Sequence, residues 1–441
     1  MTQPSTPGKK IGLIAATAIV VGNMVGVGVF TSLGFQLFST TGGFSILMLW
    51  LLGGIYSLMG ALCYAELASA LPRSGGEYHL QSQSLHPAIG FASGWLSATV
   101  GFAAPVAFAA IAFGSYLGEV WGYGDTGKGV LGVVLIVAVT AVHLRDVSFG
   151  SRFQLVATSL KVMLVLLLAV CGFLLGTDQG VSFLPTTESF GEMLTGGFAT
   201  NFYWVTFSYA GWNAAAYIVS EVRDPQRTVP RALLIGTAFV TVLYVLLNAA
   251  FLYSTPTSEM LGQKEVGLIA ARSIFGDSSG NLFGVMIAVG LVSAVSAMTW
   301  AGPRVGQVMG EDYRALHFLA RRTRRGVPAI AILFQSAIAI ALATTQKFES
   351  VLHYIEFSLV ISLGATVFGL LWLRWKRPEI AAAATFRCPL FPVIPIAFLA
   401  VSVYISFRAI QEHPVESRWG LATLLSGLLV YLLVLRSRRQ T

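Results

Sequence analysis

The sequence predicts an all-α integral membrane protein with twelve membrane-spanning helices. Three observations predict it. Only 11% of the 441 residues are charged and 55% are hydrophobic, whereas soluble domains carry about 25% charged residues. The apolar residues gather into long runs broken by short charged loops, and about 20 such residues cross a bilayer as a helix. The basic residues cluster in alternate loops. The period-two segments of about 10 residues that would mark a membrane β-barrel do not occur in the sequence.

The apolar segments run over 11–38, 44–71, 88–121, 129–145, 149–176, 196–222, 230–255, 279–307, 328–345, 350–375, 388–410 and 417–436. An even count puts both termini on one side. That side then holds 21 of the 28 basic residues and the opposite side six. By the positive-inside rule, both the N- and the C-terminus are expected in the cytoplasm of a multi-pass cell-membrane protein. The same distribution accounts for the net charge of +8 without a nucleic-acid partner, since no compact basic domain lies outside the apolar runs. The three cysteines show neither metal spacing nor a disulfide framework, and the six histidines show no zinc pattern. No metal or cofactor is expected. The first apolar segment is too long for a signal-peptide core.

Two segments carry an interruption near their middle. The first contains Gly22-Asn23-Met24-Val25-Gly26-Val27-Gly28 and the sixth Ser208-Tyr209-Ala210-Gly211-Trp212-Asn213. Each glycine weakens a helix by roughly 1 kcal/mol relative to alanine and lets a ligand approach the backbone. Segments one and six each open a five-helix unit, 11–176 and 196–375, as an inverted five-plus-five repeat predicts. An interrupted helix exposes N–H groups where its second half starts, near Gly26 and Gly28, which suits a carboxylate. It exposes carbonyls near Phe207 and Ser208, which suit an ammonium. Glycines that only let helices pack closely would look the same at one segment. The matching position of the second interruption favours binding.

The stretch Gly22 to Phe30 (GNMVGVGVF) resembles the first-helix signature of the amino acid–polyamine–organocation superfamily. Val27 stands where that signature usually has a small polar residue. Cys63 to Trp95 is similar to the family's second-to-third span region, through its YAEL, PxSGGEY and GFxxGW elements. Phe207 to Asn213 (FSYAGWN), then EVRDP at 221–225 and VPRA at 229–232, resembles the branch of the L-type amino acid transporters. The resemblance implies the LeuT-type fold: ten helices in two inverted repeats with helices 1 and 6 broken, then peripheral helices 11 and 12 over 388–436, between cytoplasmic tails at 1–10 and 437–441. It implies alternating-access transport of amino acids or related amines rather than an enzyme. Backbone amides of Val25, Gly26, Val27 and Gly28 would hold the substrate carboxylate. Phe207 would be the aromatic lid, with Trp204 near the outer gate. Ser208 and Ala210 would lie beside the amine and side chain, and Trp212 and Asn213 would complete the turn.

Lys161 sits in the middle of the fifth segment, about nine residues from Arg152, or roughly 13 Å along a helix. That is too deep for easy snorkelling, and a lysine at this depth points to function. Sodium-independent family members have a lysine at this place. Its ammonium would stand in for a sodium ion and hold the first break against the fifth and eighth segments, with Ser293 and Ser296 supplying oxygens. Such a lysine can also release or share a proton, which leaves proton coupling open. Glu66 and Glu221 are expected to pair with inner-face arginines as gate salt bridges. Glu356 is expected at an outer helix end, partly hydrated. Trp50, Trp95, Trp204 and Trp300 are expected in the interfacial belt or in packing.

Neither break carries an acid, and a buried cationic side chain without a counter-charge is expensive. The expectation is therefore a sodium-independent exchanger or proton symporter for neutral amino acids. The alternatives are a cationic amino acid or polyamine exchanger of the same fold, and a non-transporting amino acid sensor. The sequence shows no cytoplasmic output domain for a sensor and no nucleophile–base or metal set for an enzyme. It does not speak to a partner subunit.

Overall fold

The computed structural model describes residues 11–145, 150–345 and 348–435. The expected tails at 1–10 and 437–441 lie outside the described residues, as do Lys9, Lys10, Lys347, Arg436, Arg438, Arg439 and the side chain of Arg152. All regular structure among the described residues is helical, apart from one isolated parallel bridge between Ile11 and Val222.

Among the described residues, ten helical spans are long and apolar enough to cross a membrane. The first is made of α1 (Leu13–Met24) and α2 (Gly28–Gln36), and the second is α3 (Gly43–Ala70). A short helix, α4 (Gly76–Ser84), follows in the connector. The third span is not one continuous α-helix. It runs through α5 (Pro87–Leu96), a π-helical turn over Ser97–Gly101 and α6 (Ala103–Trp121). Next come α7 (Asp125–His143), α8 (Gly150–Leu175), the short α9 (Thr187–Met193) and α10 (Gly196–Tyr209). After α10 the chain makes a turn and two 3-10 pieces, Ala214–Tyr217 and Val219–Glu221, before α11 (Pro225–Ser254). Short helices α12 (Thr257–Met260) and α13 (Val266–Phe275) lead into α14 (Asp277–Asp312). The chain closes with α15 (His317–Ala320), α16 (Ala329–Thr344), α17 (Phe348–Lys376), α18 (Pro378–Ala382), α19 (Val393–Glu412) and α20 (Pro414–Val434). The sixth and ninth predicted segments thus fold as shorter helices, α10 of 14 residues and α16 of 16.

Two packed groups make the core. Helices α1, α2, α3, α10 and α11 form one, with α3 and α11 in contact along most of their length; α6, α7, α14 and α16 form the other. Helix α8 touches both groups through α1, α11 and α14, and α17 does so through α3 and α6. Helices α19 and α20 pack on the outside of α17 and α5. Their outward side chains, among them Val403, Phe407, Leu429 and Leu433, are exposed apolar groups, as surfaces facing lipid require.

Two of the tryptophans expected in the interfacial belt or in packing are buried. Trp50 is fully buried and donates through Nε1 to Gln36 Oε1 at 3.1 Å. Trp204 is buried and stacks on Phe35, with centroids 4.5 Å apart. Both are packing residues. Glu356 is a correction: it is 2% exposed rather than partly hydrated. It lies just over two helical turns into α17, a helix that packs against α10 and α19.

Candidate functional site

The two interruptions cross at the centre of the molecule. Helix α1 ends at Met24, where Val25 leaves helical geometry with φ −72° and ψ 90°, and α2 restarts at Gly28. Helix α10 ends at Tyr209, and Gly211 takes φ +102°. That left-handed value favours glycine. Any side chain at Gly211 would also stand 2.9 Å from the backbone carbon of Asn23. On the other side of the crossing, a Cβ on Gly28 would fall 2.5 Å from Ser208 Oγ and 2.6 Å from its Cα. The glycines therefore serve first as the points where two non-helical strands pass each other.

Backbone groups at the crossing divide into satisfied acceptors and free donors. Lys161 Nζ donates to the carbonyls of Gly22 and Val25, both at 2.8 Å. Tyr244 Oη on α11 lies 2.5 Å from the Met24 carbonyl and 3.2 Å from that of Ser208. The Phe207 carbonyl accepts from Ala210 N at 2.9 Å. The carbonyls expected to be free for an ammonium thus already have protein donors, and only their second lone pairs remain. The N–H groups of Val27 and Gly28 have no acceptor among the described residues, and no side chain caps α2. This is the unsatisfied positive end of a helix.

Beside the crossing lies a cavity of about 100 Å³. Gly26, Val27, Gly28, Phe207, Ser208, Ala210 and Asn213 all line it. Val25 is fully buried and sits behind the lining. Asn23, Met24, Gly211 and Trp212 of the two breaks line it too, and much of the remaining wall comes from residues that sequence reasoning missed, chiefly Phe102, Phe108, Met298 and Leu363. They look like ordinary span residues, so no local signal marked them. No lining residue is charged. Phe207 meets Phe108 edge-on, with centroids 4.8 Å apart, so a ring of α10 closes against one of α6 over the cavity. Trp204, one turn earlier, packs on Phe35 and His353 and does not line the cavity.

The predicted coupling set is only partly assembled. Lys161 is buried and reaches the first break, and its stem runs along Gly290 of α14, where a Cβ would meet Lys161 Cγ at 3.2 Å. The two serines expected beside it are a correction. Ser296 Oγ pairs with His143 Nε2 of α7 at 2.8 Å, and Ser293 Oγ is buried without a partner among the described residues. The ammonium takes its two oxygens from the backbone, because the break turns those carbonyls toward α8.

One face carries most of the ordered ion pairs. Glu221 accepts from Arg304 Nε at 2.8 Å, and Arg304 lies over the Trp300 ring at 3.5 Å. Arg73 meets Asp312 at 2.8 Å, and Tyr78 Oη donates to the same carboxylate at 2.7 Å. Burial and then Asp312 push the Tyr78 hydroxyl above the ordinary phenol range. Ile11 exchanges backbone hydrogen bonds with Glu221 and Arg223, both at 2.9 Å. These contacts tie the start of α1 and the end of the sixth segment to α14. Glu66 does something else. It takes two bonds from Arg374 of α17, at 2.7 and 2.6 Å, and one from Cys388 N at 2.7 Å. It clamps α3 to α17 and to the segment leading into α19.

These features define a membrane protein whose central cavity is bounded by two interrupted helices. The amino acid permease family model matches residues 11–431, and the chain belongs to that family, within the amino acid–polyamine–organocation superfamily. It is 28% identical over 431 residues to the b(0,+)-type amino acid transporter 1 of Mus musculus, covering 96% of this chain and 88% of that protein. It is 29% identical over 448 residues to the large neutral amino acids transporter small subunit 2 of Homo sapiens, covering 96% and 80%. To the Asc-type amino acid transporter 1 of Mus musculus it is 28% identical over 434 residues, covering 96% and 81%.

Proposed function

We propose that the protein is a sodium-independent transporter of neutral amino acids that works by alternating access. Its architecture is of the LeuT type: twelve spans, of which those within 11–176 and 196–375 form two inverted repeats with broken first helices, and those within 388–436 are peripheral. The ion-paired face is cytoplasmic, and the bilayer is the cell membrane. The observation that carries the reading is the double hydrogen bond from Lys161 Nζ to Gly22 and Val25. A fixed ammonium there supplies the positive charge that a bound sodium ion would otherwise bring to the same carbonyls.

The free N–H groups of Val27 and Gly28 offer a carboxylate site. The apolar, uncharged wall favours a neutral side chain over arginine or a polyamine, whose charge would be buried unpaired. Phe207 and Phe108 form the closing contact over the substrate. The relatives named for neutral amino acids are consistent with this choice.

The test is uptake of labelled neutral amino acids into proteoliposomes in sodium-free buffer, half of them preloaded with unlabelled amino acids. Uptake that needs the internal load establishes exchange. Uptake into empty vesicles that needs an inward proton gradient establishes proton symport, with Lys161 as the proton site. Uptake that appears only when sodium is added overturns the reading of Lys161.

A further inference from the structure

One carboxylate is bonded to the cavity wall without lining it. Glu77, in the first turn of α4, is 2% exposed. Its Oε1 accepts from Tyr64 Oη at 2.8 Å and from Asn213 Nδ2 at 2.6 Å, and its Oε2 accepts from Tyr217 Oη. No lysine or arginine pairs with it among the described residues. Three hydrogen bonds from two segments of chain, α3 and the turn after α10, hold a buried acid that has no counter-ion among the described residues. Two of those donors, Asn213 and Tyr217, line the cavity.

We propose that Glu77 is a positioning residue for substrate recognition: it fixes Asn213 and Tyr217 so that this wall of the cavity presents hydrogen-bond acceptors only. The proposal rests on the amino acid reading above and deepens it, because it says how the primary ammonium is told apart from other polar groups.

The chemistry follows from what each group can do. A carboxylate accepts and does not donate. The Asn213 amide must therefore turn its NH2 toward Glu77, which directs Oδ1 away from it. Tyr217 spends its single hydroxyl hydrogen on the same carboxylate, so its oxygen offers only lone pairs elsewhere. The free N–H groups of Val27 and Gly28 belong to residues that line the same cavity on α2. A zwitterion then has one favourable orientation, with its carboxylate on the α2 amides and its ammonium toward Asn213. An α-hydroxy acid can supply one hydrogen to that wall where an ammonium supplies three. The negative charge of Glu77, one side chain behind the wall, adds to the preference for a cation there.

The experiment measures binding of leucine and of its α-hydroxy analogue to purified, full-length protein, with the thermal midpoint recorded for each variant. In Glu77→Gln the new amide can donate, Asn213 is free to turn over, and an NH2 faces the cavity. The expected result is leucine affinity about tenfold weaker and a reduced preference for leucine over the hydroxy acid. The double variant Glu77→Gln/Asn213→Asp places a donor behind the wall and restores an acceptor in front, and it should recover most of the lost affinity. A purely structural role for Glu77 predicts the opposite, a double variant no better than the worse single one, and that result overturns the proposal. So does a Glu77→Gln protein with unchanged affinity and unchanged preference. If Glu77→Gln does not fold, the double variant still decides, because only the polarity argument predicts that it binds. A wild-type protein that binds no neutral amino acid overturns the functional reading itself, whereas wild-type binding with an unaffected Glu77→Gln removes only the role of Glu77.

Discussion

Lys161 Nζ lies 2.8 Å from the carbonyl oxygen of Val25, the residue at which α1 leaves helical geometry. The side chain from the middle of α8 thus satisfies an acceptor that the interruption itself creates. Removing it leaves the Gly22 and Val25 carbonyls buried without that donor, at about 1–3 kcal/mol for each unsatisfied group.

Lys161→Ala should therefore lose at least about tenfold in uptake and lower the thermal midpoint in detergent. Both are read on the same purified protein, by proteoliposome uptake and by a melting scan. Sodium should not restore uptake in the wild type. In the alanine variant the vacated carbonyls could hold a cation, so sodium-dependent rescue there would strengthen the assignment. Unchanged uptake in Lys161→Ala would remove Lys161 from the mechanism.

Two glycines of the same motif should respond differently. A Cβ on Gly26 would have only the Met24 carbonyl oxygen near it, at 3.8 Å, whereas on Gly28 it would run into Ser208. Overpacking of this kind costs about 1–3 kcal/mol. Gly28→Ala should lower the thermal midpoint by several degrees and abolish uptake. Gly26→Ala should keep its midpoint and lose only substrate affinity, since Gly26 lines the cavity. Equal melting behaviour of the two variants would contradict the crossing geometry.

The reason these features were legible in the sequence differs from one to the next. Glycines 22, 26 and 28 and Gly211 stand out because each interrupts an apolar run, and Lys161 because it is a charge inside one. The partners of Lys161 could not be read the same way. Ser293 and Ser296 lie at the right depth, but the rotation of α14 gives Ser296 to His143, and the break itself supplies the oxygens. Glu356 sits near a segment end, and only the packing of α10 and α19 over α17 reveals that it is buried. Glu77 belongs to a motif visible in the sequence, yet its meaning depends on Tyr64, Asn213 and Tyr217 meeting it from distant parts of the chain. Phe102 and Phe108 give no signal at all, since a phenylalanine facing a cavity and one facing lipid look alike.

His79, two residues beyond Glu77, gives the stability a pH dependence with a defined sign. Burial, reinforced by Arg73, lowers its pKa from the ordinary value to about 4. Between pH 6.5 and pH 4 the unfolded chain binds a proton at this position that the folded protein does not. Stability therefore falls as the pH drops through that window, by about 2 kcal/mol between pH 7 and pH 5. The thermal midpoint of the wild type should fall over that range, and His79→Gln should flatten the dependence. A variant with the same slope as the wild type would place the titration elsewhere.

The ion pairs at the ends of the sixth segment and α14 bear on which face opens. Arg304 is held by Glu221 and by the Trp300 ring, and Arg73 by Asp312. Both pairs are partly exposed, so each contributes about 0.5–1 kcal/mol at most. Together they bias an equilibrium between closed and open faces by up to about thirtyfold. The double variant Arg73→Gln/Arg304→Gln should therefore populate the state open on this face more often. Ser97 lines the cavity, so Ser97→Cys, in a background with Cys63, Cys171 and Cys388 replaced by serine, reports access to it. Alkylation by a membrane-impermeant reagent should quicken several-fold from the ion-paired face and slow from the other. If access from both faces rises together, the double substitution has loosened the fold instead of shifting the balance. If neither changes, these pairs do not act as the gate.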